Sequence, residues 1–187
     1  MSFPGIPSLD AAVMVFIQTH FHNTVTDTVF PIITSLGEAG IGWIVLSLVL
    51  LCFKKTRRTG GLVLIAMTVT LLFGELTLKN IICRLRPCNV FTDFPMLIAR
   101  PASYSFPSGH TSSSFAAALI LTLRHKKVGW LAYIPAVLIA FSRIFLFVHY
   151  PTDVLAGILL GTLAALLTYF AAKAIQKRQA EKRTAQI

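Results

Sequence analysis

Carboxylates are scarce in this sequence, and charge of either sign is thin: 7 Asp and Glu stand against 17 Lys and Arg, and charged residues fill only 13% of 187 positions. With 55% hydrophobic residues and a mean hydropathy of +0.73, the chain has too little polar surface to coat a water-soluble globule. That points to a membrane protein. Cysteine is also rare: Cys52, Cys83 and Cys88 are too few for a disulfide framework and lack zinc-ligand spacing. Cys52 reads as a small hydrophobe in an apolar run, and Cys83 and Cys88 as free thiols that could pair only on an oxidising side. The first residues carry no positively charged region and no small-residue cleavage site, which predicts no removable signal peptide. There is no internal repeat or low-complexity tract.

What is present is long apolar runs separated by basic turns. Ile41 to Phe53, Gly61 to Ile82, Val128 to Val148 and Val154 to Ala172 read as spanning helices, with Thr111 to Leu123 as a shorter fifth. Leu9 to Leu36, interrupted by His20, His22 and Asn23, reads as one bent span or as an interfacial helix followed by a short one, the bent span giving six crossings. The expectation is a single domain over residues 1–187, an all-α polytopic membrane bundle of about six transmembrane helices. The basic clusters, Lys54 to Arg58, Arg124 to Lys127 and Lys173 to Arg183, sit between or after apolar runs, where the positive-inside rule places cytoplasmic segments. They lack the aromatic interleaving of a nucleic-acid face. This threading puts both termini in the cytoplasm and residues 84–106 and 148–151 on the extracytoplasmic side. The tail, residues 177–187, reads as flexible.

Charged side chains at membrane depth are costly, about 2.5 to 3.5 kcal/mol each on insertion scales, and so point to function. Three groups of them occur. In residues 79–87, KNIICRLRP, Lys79 and Arg86 are spaced to share a helix face, Pro87 places Arg86 at the helix end, and Glu75 stands one turn before Lys79 as an ion-pair partner. In residues 107–110, PSGH, a Ser-Gly start opens a helix and leaves outward-pointing N–H groups, an anion site strengthened by the helix dipole. Alone, Ser108 would be only an N-cap and His110 a boundary residue. In residues 142–153, SRIFLFVHYPTD, Arg143 closes one helix, Pro151 opens the next, and Asp153 stands four residues from His149, able to hold one of its ring nitrogens. A plain Arg143–Asp153 boundary pair is an equal alternative on that segment by itself.

All three groups fall on one side of the membrane in this threading. Two histidines, a carboxylate, three cations and a helix N-terminus suit phosphoryl transfer without a metal: the cations offset the phosphate oxygens, one histidine attacks and the other protonates the leaving oxygen. The strings K-x6-R-P, P-S-G-H and S-R-x5-H-x3-D, complete and in order, resemble the three signature motifs of the type 2 phosphatidic acid phosphatase superfamily, over about Leu62 to Ala172. The resemblance implies that Lys79, Arg86, Arg143, Ser108 and the Gly109 backbone bind phosphate. It further implies that His149 is the nucleophile, that Asp153 orients it, and that His110 is the acid and then the base.

It also implies a phosphohistidine intermediate, no cofactor or metal, and a lipid phosphate substrate in the bilayer: undecaprenyl pyrophosphate, phosphatidylglycerol phosphate or phosphatidic acid. Vanadium haloperoxidases share the site residues but are soluble and much less apolar. A channel or lipid transporter would account for Glu75 and Lys79 but not for PSGH and His-x3-Asp. The segment Cys88 to Tyr104, with Phe91, Phe94, Pro95, Met96 and Leu97, reads as an apolar lip at the membrane surface.

Overall fold

The computed structural model describes Phe3 and residues 5–184, which form an all-helical bundle. Helix α1 (Ser8–His20) and α2 (Thr24–Leu36) are separate helices. Asn23 starts α2 with a reciprocal cap: its side chain accepts from the Val25 and Thr26 amides at 2.9 and 3.1 Å, and the Thr26 hydroxyl accepts from the Asn23 amide at 3.0 Å. The expected bent span over Leu9 to Leu36 is therefore corrected to a break, because an Asn-x-x-Thr cap starts a new helix.

Helix α2 meets α3 (Ile41–Cys52) at a 44° bend through a short turn, Glu38–Gly40. Ala39 and Gly40 both adopt positive φ there, 47° and 70°, which breaks the helix at the bend. Helix α4 (Arg57–Thr70) continues through a π-helical stretch, Leu71–Leu78, into α5 (Lys79–Ile82). Cys83, at φ 50°, ends it. After a one-turn α6 (Pro87–Val90), residues 91–108 form an irregular cap over one end of the bundle. Helices α7 (Gly109–Arg124), α8 (Tyr133–Phe145) and α9 (Pro151–Thr184) complete the fold.

Helix α7 is the axis of the core. Most of it is buried, and α9 lies along it through small residues: a Cβ on Gly157 would lie 2.7 Å from the Ser108 carbonyl, and one on Gly161 2.3 Å from that of Ser112. The Trp43 indole donates to Ser114 at 2.9 Å and fastens α3 to the same axis. At the far end, His125 and Thr59 hydrogen bond at 3.0 Å, joining the end of α7 to the start of α4.

Two helical stretches, Arg57–Val90 and Pro151–Thr184, are long and apolar enough to cross a membrane; α2 with α3 forms a third as a bent pair. Outward-facing Leu155, Leu159, Leu163, Leu167 and Phe170 make α9 a greasy exterior, as a helix facing lipid requires. The helix continues through Lys177 to Thr184, so that part of the tail is helical where the sequence predicts flexibility; residues 185–187 lie outside the described residues. Asp10 of α1 packs at the end of the bundle where α9 begins, whereas α9 then runs 34 residues, roughly 50 Å, to the other end. Among the described residues, α1 thus starts at one end of the bundle and α9 finishes at the other.

Candidate active site

The three polar groups meet at one end of the bundle. Lys79, Arg86, Arg143, Gly109, His110 and His149 line one cavity of about 910 Å³. Lys79 and Arg86 do not share a helix face, as their spacing suggests; the left-handed turn at Cys83 breaks the helix, and the chain folds back to bring Arg86 in. Lys79 is buried and paired with Glu75 at 2.7 Å across one helical turn. The π-helical stretch that carries Glu75 is a local widening of the helix, of a kind often found at functional sites. Glu75 rests directly on Gly109, where an added Cβ would lie 2.1 Å from its carboxylate oxygen.

Arg86 is held in place by its neighbours. Its Nε donates to the Ser103 carbonyl at 2.7 Å, Nη2 to the Ser103 hydroxyl at 3.0 Å, and Nη1 to the Val148 carbonyl and His149 Nε2, both at 2.9 Å. Because a guanidinium only donates, Nε2 of His149 bears the lone pair and Nδ1 the proton. Nδ1 faces Asp153 Oδ2 at 3.5 Å and the Ser105 hydroxyl at 3.4 Å. His149 and Asp153 are almost wholly buried.

Asp153 is fixed from three sides: the Ser105 hydroxyl and the Tyr150 amide (2.9 Å) donate to Oδ2, and Arg84 Nη1 donates to Oδ1 at 2.7 Å. Arg84 also pairs with Asp10 at 2.7 Å and lies 3.8 Å above the Tyr150 ring. Asp10, fully buried, accepts from the Thr152 amide at 2.9 Å and its hydroxyl at 2.7 Å. Asp153 therefore pairs with Arg84, and the alternative Arg143–Asp153 boundary pair does not form. Arg143 instead donates to Thr34 of α2 and leaves its Nε unpartnered.

Ser108 caps α7, its hydroxyl accepting from the Thr111 hydroxyl at 2.9 Å, while its own amide donates to the Asp153 carbonyl at 3.1 Å. It is buried behind the cavity wall, so Gly109 and His110 form the exposed start of the helix. His110 places its Nε2 3.4 Å from Glu38 of the α2–α3 turn. The apolar lip is largely folded inward: Phe94 stacks on Phe147 with ring centroids 3.9 Å apart, and Phe91 and Met96 pack on the core, leaving Pro95 and Leu97 outside. Cys83 and Cys88 are both free thiols.

Sequence reasoning missed Ser105, Ser103, Arg84, Asp10, Thr34 and Glu38. Arg84 and Asp10 were open to the same argument used for Lys79, since each is a lone charge in an apolar stretch. Ser103 and Thr34 carry no such signal.

The PAP2 superfamily model matches residues 59–177. An undecaprenyl-diphosphatase of Sulfolobus acidocaldarius is 38% identical over 127 residues, 67% of this chain and 61% of that protein, so the chain spans less than two thirds of this relative's length. An undecaprenyl-diphosphatase of Bacillus subtilis is 31% identical over 157 residues, covering 79% of this chain and 76% of the relative. The crystal structure of a transmembrane PAP2-type phosphatidylglycerolphosphate phosphatase from Bacillus subtilis superposes with a TM-score of 0.72 at 30% identity, covering 90% of this chain and 86% of that one.

Proposed function

This chain belongs to the PAP2 superfamily, and from that membership and its site we propose that it is a membrane lipid phosphatase working through a phosphohistidine without a metal. The observation that carries the reading is the state of His149: Nδ1 is directed at a carboxylate fixed on three sides, and the Nε2 lone pair, held by Arg86 Nη1, lies at a cavity lined by Lys79, Arg86 and Arg143. A buried lone pair among cations is a nucleophile waiting for an anionic electrophile.

A bound phosphoryl group draws Arg86 onto its oxygens, together with Lys79, Arg143 and the amides at the start of α7, which Ser108 holds in shape. This releases Nε2. The N–P bond forms as the P–O bond to the lipid breaks, and His110 gives its proton to the departing oxygen. Water then attacks phosphorus, His110 takes its proton, and the N–P bond breaks to release inorganic phosphate. The polar end of the cavity holds the phosphate, and its apolar wall of Ile44, Leu64, Met67 and Leu71 receives the chain of the lipid.

The substrate is a lipid diphosphate of the polyprenyl kind, supported by the names of the relatives above, with phosphatidylglycerol phosphate and phosphatidic acid as the other candidates. The site end faces away from the cytoplasm and the basic end of α9 faces it. Purified protein in detergent should release phosphate from a short-chain polyprenyl diphosphate in EDTA and lose activity to vanadate, which takes up the five-coordinate geometry of the transition state. Activity abolished by EDTA and restored by magnesium would refute the metal-free reading; release from the phospholipids alone would refute the substrate.

A further inference from the structure

A carboxylate is out of place beside a phosphate site. Glu38 nevertheless lines the cavity, with its side chain 69% exposed, and comes within 3.4 Å of His110. Repulsion of the substrate and the cost of a charge near membrane depth both count against it, so its presence calls for a compensating role.

The geometry around His110 supplies one. A Cβ on Gly37 would lie 2.9 Å from His110 Cδ2 and 2.8 Å from an Ile139 methyl, so the α2–α3 turn presses its backbone against the Cδ2–Nε2 edge of the ring. Nε2 is buried with no hydrogen-bond partner, and the Glu38 carboxylate is the acceptor beside it, misaligned but within a side-chain rotation of bonding. Nδ1 lies on the opposite side of the imidazole from that edge. The positive-φ pair Ala39 and Gly40 fixes where Glu38 stands. The arrangement mirrors Asp153 and His149 with the ring reversed: there a carboxylate holds Nδ1 and frees Nε2.

We propose that Glu38 is a positioning residue for the acid-base histidine, its carboxylate holding Nε2–H of His110 so that the imidazolium presents Nδ1–H to the leaving oxygen. The inference rests on the phosphatase reading above. Burial and the lining cations Arg143, Arg86, Lys79 and Arg100 disfavour an imidazolium here, and His149 adds no negative charge. Of the two carboxylates lining the cavity, Glu75 is committed to Lys79. Glu38 is the one left to favour a protonated His110. In the second step the same carboxylate stabilises the imidazolium that forms as His110 takes the proton of water.

The test compares Glu38→Gln, Glu38→Ala and Glu38→Asp on two leaving groups, a short-chain alkyl monophosphate and p-nitrophenyl phosphate. Glu38→Gln and Glu38→Ala should lose roughly 10- to 100-fold in kcat/KM on the alkyl ester, whose alkoxide needs a proton to leave. Their pre-steady-state burst of p-nitrophenol should keep the wild-type rate within about 3-fold, because a phenolate leaves unaided. Glu38→Asp should recover part of the alkyl activity. Removal of the anion lowers the proton affinity of His110, so the high-pH limb of kcat/KM on the alkyl ester should move to lower pH.

An equal loss on both substrates, or wild-type kinetics with an unmoved limb, would overturn the proposal. Wild-type protein that releases phosphate neither from these esters nor from a short-chain polyprenyl diphosphate would instead remove the phosphatase reading beneath it.

Discussion

His149 and His110 occupy one cavity but stand in opposite surroundings, the first beneath three donors to Asp153 and the second beside an exposed Glu38. Their variants should separate accordingly. His149→Ala should form no phosphoenzyme from any substrate, whereas His110→Ala should accumulate it from p-nitrophenyl phosphate, since transfer needs little acid there and hydrolysis lacks its base. Rapid quench with labelled phosphate reads this directly, and phosphoenzyme in the His149 variant alone would exchange the two roles.

Arg84 tests the support behind His149. Arg84→Gln removes the cation between two buried carboxylates, Asp10 and Asp153, and should lower thermal stability by about 3 kcal/mol or more. Asp10→Asn in the same background should recover part of that loss, because it removes the charge left unpaired. A denaturation series on the purified variants checks the pairing. These residues show how far sequence carries at this scale. Lys79, Arg86, Arg143, His110 and His149 are legible because a charge or an imidazole in an apolar run has to be explained. Ser105 and Ser103 are not, since a hydroxyl in a polar segment costs nothing to leave in water.

At the scale of helices, the long apolar runs translate well into α4, α8 and α9, because burial in lipid or core demands an unbroken apolar surface. The breaks translate poorly. Asn23 and Thr26 do carry a readable cap, but nothing in the letters marks the π-helical stretch Leu71–Leu78 or the left-handed Cys83, which arise from packing of the finished bundle. Yet these breaks place Glu75, Lys79 and Arg86. The contact that keeps the α7 start in register with Asp153 is the glycine seam of α9. Gly161→Leu would drive a side chain into the Ser112 carbonyl and the Ala116 amide, which cannot withdraw without separating the helices. Overpacking of this kind costs about 1 to 3 kcal/mol or more. The variant should melt lower and lose phosphate release, while Leu159→Ala on the exposed side of the same helix should do neither.

For the molecule as a whole, the bundle has one end built of cations, histidines and the cap of residues 91–108, and another where α9 ends among Lys177, Arg178, Lys182 and Arg183. On the proposed sidedness, the charge bias keeps the α9 end in the cytoplasm. A bent span over Leu9 to Leu36 would put the start of α1 at the far end of the bundle from the site. The bonds of Asp10 to Arg84 and Thr152 tie that helix to the site end instead. Single cysteines distinguish the two arrangements in a background of Cys52→Ser, Cys83→Ser and Cys88→Ala, the last chosen because Cys88 is fully buried. Asp93→Cys in the cap, Ser8→Cys at the start of α1 and Gln179→Cys near the end of α9 all lie at exposed positions. In intact cells a membrane-impermeant maleimide should label the cysteines at positions 93 and 8 and spare the one at 179, which should react only after the membrane is opened. Labelling at 93 with protection at 8 would restore a cytoplasmic start and require Asp10 to leave Arg84; protection at 93 would turn the whole bundle over and place the phosphate site inside the cell.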